Sequence, residues 1–195
     1  MSLIIGGSAT PAPTQGLPEP EVDLPHPGTA PEAHHIMSTE RIVALLGHSN
    51  PLVRTFAIEQ ASLRSEPEVL DALAARVREG DDLVAIEAIG VLEAKKYRPA
   101  ADALLERFAT AHGELAAVCA TALGQLAPER LLDAVKARGR LDDEAFAAVA
   151  TALGIVGSDD TVAFLDKGLN RAGAVSPDRR GALYGAALLS GSEKL

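Results

Sequence analysis

The stretch AAVCATALGQLAPERLL (116–132) is echoed thirty residues later by FAAVATALGIVGSDDTVAFL (146–165), and both carry the pentapeptide ATALG, at 120–124 and 150–154. Self-similarity at a fixed period of this size marks a stacked-repeat architecture. Further copies lie upstream. VAIEAIGVLEAKKYRPAADALLERF (84–108) has the same small-apolar-glycine core at Ala88, Ile89 and Gly90, and VRTFAIEQASLRSEPEVLDALAARV (53–77) has a degenerate one with Ala61 at the glycine position. RRGALYGAALLSG (179–191) is half a unit. Within a unit the apolar residues fall at helical spacing, as with Val118, Ala122 and Leu126 before a turn and Leu131, Leu132 and Val135 after it, so each unit is expected to be two helices.

Proline tests the boundaries independently, because it is tolerated in the first turn of a helix and not in its interior. Beyond residue 37 the prolines are Pro51, Pro67, Pro99, Pro128 and Pro177, all at inferred helix starts. The pattern predicts helices over 39–47, 51–64, 67–79, 82–96, 99–111, 114–126, 128–138, 142–156, 160–170 and 177–189, and no strand. Mid-helix glycine costs about 1 kcal/mol relative to alanine. Gly90, Gly124 and Gly154 are therefore expected at helix–helix contacts, where the missing Cβ permits close approach.

The unit A-x-x-A-[IL]-G-x-L, followed by a turn and a second helix, resembles the HEAT repeat, particularly the short Ala-Leu-Gly variety known from phycobilin lyase subunits. The resemblance covers about residues 39–191. In HSNPLVRTFA (48–57), Asn50, Pro51, Val53 and Arg54 match the Asp-Pro-x-Val-Arg opening of that family; DDLVAIEA, GELAAVCA and DEAFAAVA lack its arginine. The resemblance implies an all-α, right-handed α-solenoid of about four helical hairpins plus a trailing helix over 38–195. It also implies a non-catalytic scaffold that binds another protein or peptide, or alternatively an accessory subunit of a lyase or maturation enzyme.

Residues 1–37 differ in kind. The segment 8–37 holds seven prolines and scattered acids and cannot continue a helix, so it reads as an extended polyproline-like arm. The apolar Leu3, Ile4 and Ile5 give that arm an anchor, which suggests that it docks on a helical surface or on a second copy. At the other end Leu183, Ala187 and Leu188 cannot all turn inward together with Tyr184 and Leu189. Either the natural protein continues or something covers this surface; the arm or a second molecule is the expected cover, the latter as a homodimer through the arm or the last helix.

Composition narrows the function classes. With 195 residues, 47% hydrophobic and 3% aromatic, the chain suits thin helix-on-helix packing. No apolar run approaches the ~18 residues of a membrane span. SLIIGG is too short for a signal-peptide core and lacks a basic leader, so a cytoplasmic protein is expected. A net charge of −9, no Trp and two Tyr oppose nucleic-acid binding, and with it a HEAT-like DNA glycosylase. HEAT-like metal hydroxylases carry His-Glu pairs, and no His-Glu dipeptide occurs here.

No catalytic, cofactor or metal site is expected. Cys119 lies among apolar residues without a cation to lower its pKa and reads as a buried small hydrophobe. His26, His34 and His35 have no partner cysteine and no spacing that fixes a metal geometry, and His48 and His112 sit at a helix end and a turn. Acids gather at helix starts (Asp81, Asp82, Asp142, Asp143) and bases near helix ends (Arg76, Arg78, Lys136, Arg138), as macrodipoles favour. Asp71, Asp102 and Asp133 stand apart, recurring every 31 residues early in successive second helices. They form the candidate binding ladder, expected on the concave surface and facing a basic partner.

Overall fold

A computed structural model describes residues 37–170 and 176–191, with the side chains of 168–170 undescribed. The Pro-rich arm and its docking therefore lie outside the described residues, Met37 excepted. Among them are ten α-helices and no strand: α1 (Thr39–Leu46), α2 (Pro51–Ser62), α3 (Pro67–Glu79), α4 (Asp82–Ala94), α5 (Ala101–Thr110), α6 (Gly113–Leu126), α7 (Pro128–Arg138), α8 (Asp143–Val156), α9 (Asp159–Asn170) and α10 (Pro177–Leu189). A 3-10 turn, Arg98–Ala100, precedes α5, so Pro99 opens a tight turn and not the α-helix itself.

Helix starts coincide with capping chemistry. Ser38, Asn50, Asp81, Asp142 and Ser176 each accept a backbone N–H through the side chain, which satisfies one of the orphan donors of the first turn. Pro51, Pro67, Pro128 and Pro177 sit at the first helical position.

The helices pack as two rows. α2, α4, α6, α8 and α10 each lie against the next even-numbered helix, and α1, α3, α5 and α7 do the same among themselves. Between the rows sits an apolar core that includes Ile42, Leu73, Leu92, Phe108, Leu123 and Leu153, all buried. Burying such side chains contributes roughly 1.5–3 kcal/mol each. The pairing differs from the sequence units, because α3 lies more along α4 than α2, and α5 along α6 rather than α4. Connections of two residues, Gly80–Asp81 and Ala111–His112, hold those neighbours side by side, whereas the proline-opened connections before α2 and α3 have four residues; before α7 only Ala127 intervenes, and α7 lies more along α6 than α8.

The glycines follow a register set by helix starts. Gly124 and Gly154 are each the twelfth residue of their helix. A Cβ on Gly124 would meet the Ala152 Cβ at 3.0 Å, and one on Gly154 would meet the backbone of α10 at 2.5 Å (Ala186 O) and 2.8 Å (Ala186 Cα). Ala152 and Ala186 are in turn the tenth residues of α8 and α10. The twelfth position of one even helix thus meets the tenth of the next. Gly90 corrects the expectation: it is the ninth residue of α4, is exposed, and has nothing within 4 Å of a Cβ built on it. Three residues rotate it about 60° away from the contact line.

In α4 the twelfth position belongs to Glu93. Its side chain is half-buried, and Oε1 has no hydrogen-bond partner. α8 accordingly makes more extensive contact with α6 and α10 than α4 does with α6.

Candidate functional site

The three ladder carboxylates are exposed, one each on α3, α5 and α7. None stands alone. The Tyr97 hydroxyl donates to Asp71 Oδ1 at 2.7 Å. Arg130 Nη1 donates to Asp102 Oδ1 at 2.7 Å, and Lys136 Nζ lies 3.7 Å from Asp133 Oδ1 within the same helix. A neighbouring tie, Arg98 to Glu129 at 3.0 Å, runs between the same two units as Asp102–Arg130 in the opposite sense. The Asp71 hydrogen bond is the main reason the Tyr97 phenol is pushed up to about 12, so it remains a donor across the physiological range. Tyr97 reaches Asp71 because Lys96 takes a left-handed conformation (φ 52°) at the end of α4 and reverses the chain.

The structure thus places the carboxylates on successive odd-row helices, with Asp102 tied across to α7. Exposed pairs of this kind contribute roughly 0–1 kcal/mol each, so their effect is mainly to orient the acids.

A second set of residues, arginines that clamp inter-helix turns, was not legible as such in the sequence. Arg54 on α2 donates to the His48 and Ser49 carbonyls and pairs with Asp81, the N-cap of α4, at 2.6 Å. Arg107 at the end of α5 reaches back to the Arg78 and Gly80 carbonyls and to Asp82 at 2.6 Å. Arg138 at the end of α7 donates to the Phe108 and Ala111 carbonyls and covers the Phe108 ring at 4.8 Å. Arg179 on α10 donates to the Leu141 carbonyl, pairs with Asp143 and covers the Phe146 ring at 4.8 Å. Each guanidinium supplies donors to carbonyls left open where helices end. The sequence signal was partial: Arg107 and Arg138 share the 31-residue period of the aspartates, but Arg76, one period earlier, pairs with Glu79 in its own helix, and Arg54 and Arg179 fall outside the period. Charge at helix ends therefore does more than complement dipoles, since it links elements 25–38 residues apart.

Asp142 illustrates the same economy at helix starts. Its two oxygens accept Ala145 N–H at 2.8 Å and Gly113 N–H at 3.0 Å, capping α8 and tethering α6 at once. Those backbone bonds hold its carboxyl below the ordinary aspartate range.

Reactive side chains are few. Cys119 is fully buried, and burial pushes its thiol up to about 12. His48 Nδ1 accepts the Asn50 N–H at 3.0 Å, and His112 immediately precedes α6. His26, His34 and His35 lie outside the described residues. Among those described, no cluster of His, Cys, Asp or Glu is placed to hold a metal ion, and no helix is long and apolar enough to cross a membrane.

Most of the exposed large apolar residues lie on the even row. α2 presents Leu52 and Phe56, with Leu63 just past its end, α4 presents Leu83, α8 presents Ile155, and α10 presents Tyr184, Leu188 and Leu189, while Leu183 and Ala187 turn inward. No protein-family model matches the chain, and no curated protein matches it.

Proposed function

We propose that the chain is a non-catalytic, right-handed HEAT-like α-solenoid that binds another protein or peptide along α3, α5 and α7. The observation that carries this is the placement of Asp71, Asp102 and Asp133 on successive helices of one row, with Asp71 and Asp102 oriented by Tyr97 and Arg130. A surface of exposed, oriented carboxylates on a chain of net charge −9 suits a segment presenting Lys or Arg. Such a partner would displace Arg130 from Asp102 or add to it, and its encounter rate would fall with ionic strength.

The two-row packing supports the solenoid. α6 meets α8, and α8 meets α10, through the same two positions, and along the row each even helix relies on its neighbours. Burial of Cys119, which outweighs the lowering influence of Arg107 and Arg138 on its thiol, favours binding over covalent chemistry.

The test is capture of a partner on the immobilised full-length chain, followed by kinetics with Asp71→Asn/Asp102→Asn/Asp133→Asn. The expected result is slower association and a shallower salt dependence in the variant. Unchanged affinity and salt slope would return the three acids to a structural role. Capture of a lyase or other maturation enzyme would favour the accessory-subunit alternative.

A further inference from the structure

We infer that the open edge of α10 takes the α2 edge of a second copy of this chain, head to tail, so that the even row continues from one molecule into the next. The inference rests on the row's own contact rule and is independent of the carboxylate surface.

In the even row the twelfth residue of one helix meets the tenth of the next, as Gly124 meets Ala152 and Gly154 meets Ala186. One turn earlier the eighth residues of α4, α6 and α8 are Ile89, Ala120 and Ala150, all buried. Among the described residues nothing packs over the same positions of α10. Its eighth and twelfth residues, Tyr184 and Leu188, are 57% and 84% exposed. Gly181, at the fifth position, has no atom within 4 Å of a built Cβ.

The opposite edge belongs to α2. The sixth and tenth positions of α4, α6, α8 and α10, which serve the preceding helix, include Val118, Ala148 and Ala182, all partly buried. The corresponding residues of α2 are Phe56, 42% exposed, and Gln60. Carrying the twelfth-to-tenth offset across to a second copy sets Leu188 over Gln60 and Tyr184 over Phe56. An aromatic stands bare at each end where interior helices carry mainly aliphatic residues, and such pairs add about 0.5–1.5 kcal/mol beyond the area they bury. The bare space at Gly181 accommodates the bulk.

A second copy is favoured over an unrelated partner because the contact continues an interface the chain already makes with itself. A heterologous contact of this kind repeats from copy to copy, giving open chains unless its rotation closes a ring. The net charge of −9 on every copy opposes growth, so association strengthens as salt rises.

The experiment uses the full chain in light scattering and sedimentation at low and high salt, with far-UV circular dichroism to check that each variant is folded. Wild type should gain mass with concentration, and more steeply in high salt. Phe56→Asp and Tyr184→Asp should each be monomeric alone. Mixed in equal amounts they should form a dimer and nothing larger, since each retains one intact edge. In a Cys119→Ser background, Gln60→Cys with Leu188→Cys should give an oxidised ladder through 60–188 links. A Phe56→Asp variant that still dimerises while Tyr184→Asp does not would overturn the inference in favour of a two-fold α10 contact. Wild type that stays monomeric throughout, or a mixture that stays monomeric, would overturn it outright.

Discussion

Three glycines in one row offer a graded perturbation, because the same Gly→Ala change meets three different surroundings. In each case alanine gains roughly 0.5–1 kcal/mol by reducing the freedom of the unfolded chain and favouring the helix. At Gly90 nothing lies within 4 Å of the new Cβ, so the gain stands alone. At Gly124 the new methyl approaches the Ala152 Cβ at 3.0 Å, a side chain that yields by a few tenths of an ångström, and gain and cost nearly cancel. At Gly154 the obstruction is backbone, 2.5 Å to Ala186 O and 2.8 Å to Ala186 Cα, so α10 as a whole must retreat. Overpacking costs about 1–3 kcal/mol, and a backbone obstruction belongs at the upper end of that range, which leaves a net loss of up to about 2.5 kcal/mol after the propensity gain. Retreat also loosens the contacts of Leu183, Ala186 and Ala187. Urea and thermal unfolding followed by circular dichroism should rank Gly90→Ala above wild type, Gly124→Ala near it, and Gly154→Ala below it. For a chain of this size each 1 kcal/mol corresponds to about 2–4 °C. If Gly154→Ala stabilises as much as Gly90→Ala, α8 and α10 do not approach as closely as described, and the twelfth-to-tenth register fails with them.

Other substitutions probe the ties separately. Burial raises the Glu93 carboxyl above its usual pKa of 4.5, so the folded state holds the proton more tightly than the unfolded one. Stability is then greatest below that value and falls as pH rises through the raised pKa. Glu93→Gln should therefore stabilise at neutral pH and flatten the pH profile from 4.5 upward; a profile unchanged by the substitution would show that Glu93 is solvated. Arg138→Lys keeps the charge but cannot serve the Phe108 and Ala111 carbonyls together, so a loss of about 1–3 kcal/mol is expected in chemical denaturation, and a loss near zero would remove the clamp. Cys119, with its thiol pushed up to about 12, should react with an aromatic disulfide reagent only as fast as the protein unfolds; rapid labelling of the native state would contradict its burial.

Helix limits were legible because proline and capping residues act locally, and the predicted starts at 39, 51, 67, 82, 128 and 177 are the observed ones. The misassignment of Gly90 has an equally local cause. Aligning units on the motif equates Gly90 with Gly124, whereas the packing counts from helix starts and equates Glu93 with Gly124. The arginine clamps were hidden for a different reason, since carbonyls at helix ends carry no side-chain signature and any residue supplies one. Asp71, Asp102 and Asp133 were visible as a period, but their partners were not: Tyr97 depends on the left-handed turn at Lys96, and Arg130 on the distance between α5 and α7.

The placement of Glu93 makes the even row uneven in strength. At α6–α8 and α8–α10 a glycine lets backbone or Cβ atoms meet, so dispersion contacts accumulate along both helices. At α4–α6 a carboxylate occupies the same position, close enough to Cys119 on α6 to help raise its thiol pKa, with one oxygen buried and unpartnered. Desolvating that group costs free energy that no hydrogen bond returns at that oxygen. The start of α4 is held instead by α5, where Arg107 donates to Asp82 and the Gly80 carbonyl, and α5 in turn lies along α6. Polar ties at the rim hold position without requiring close approach. The row thus joins a more tightly packed part, α6 to α10, to α4 through a less extensive contact at which a half-buried carboxyl stands where the other junctions have glycine.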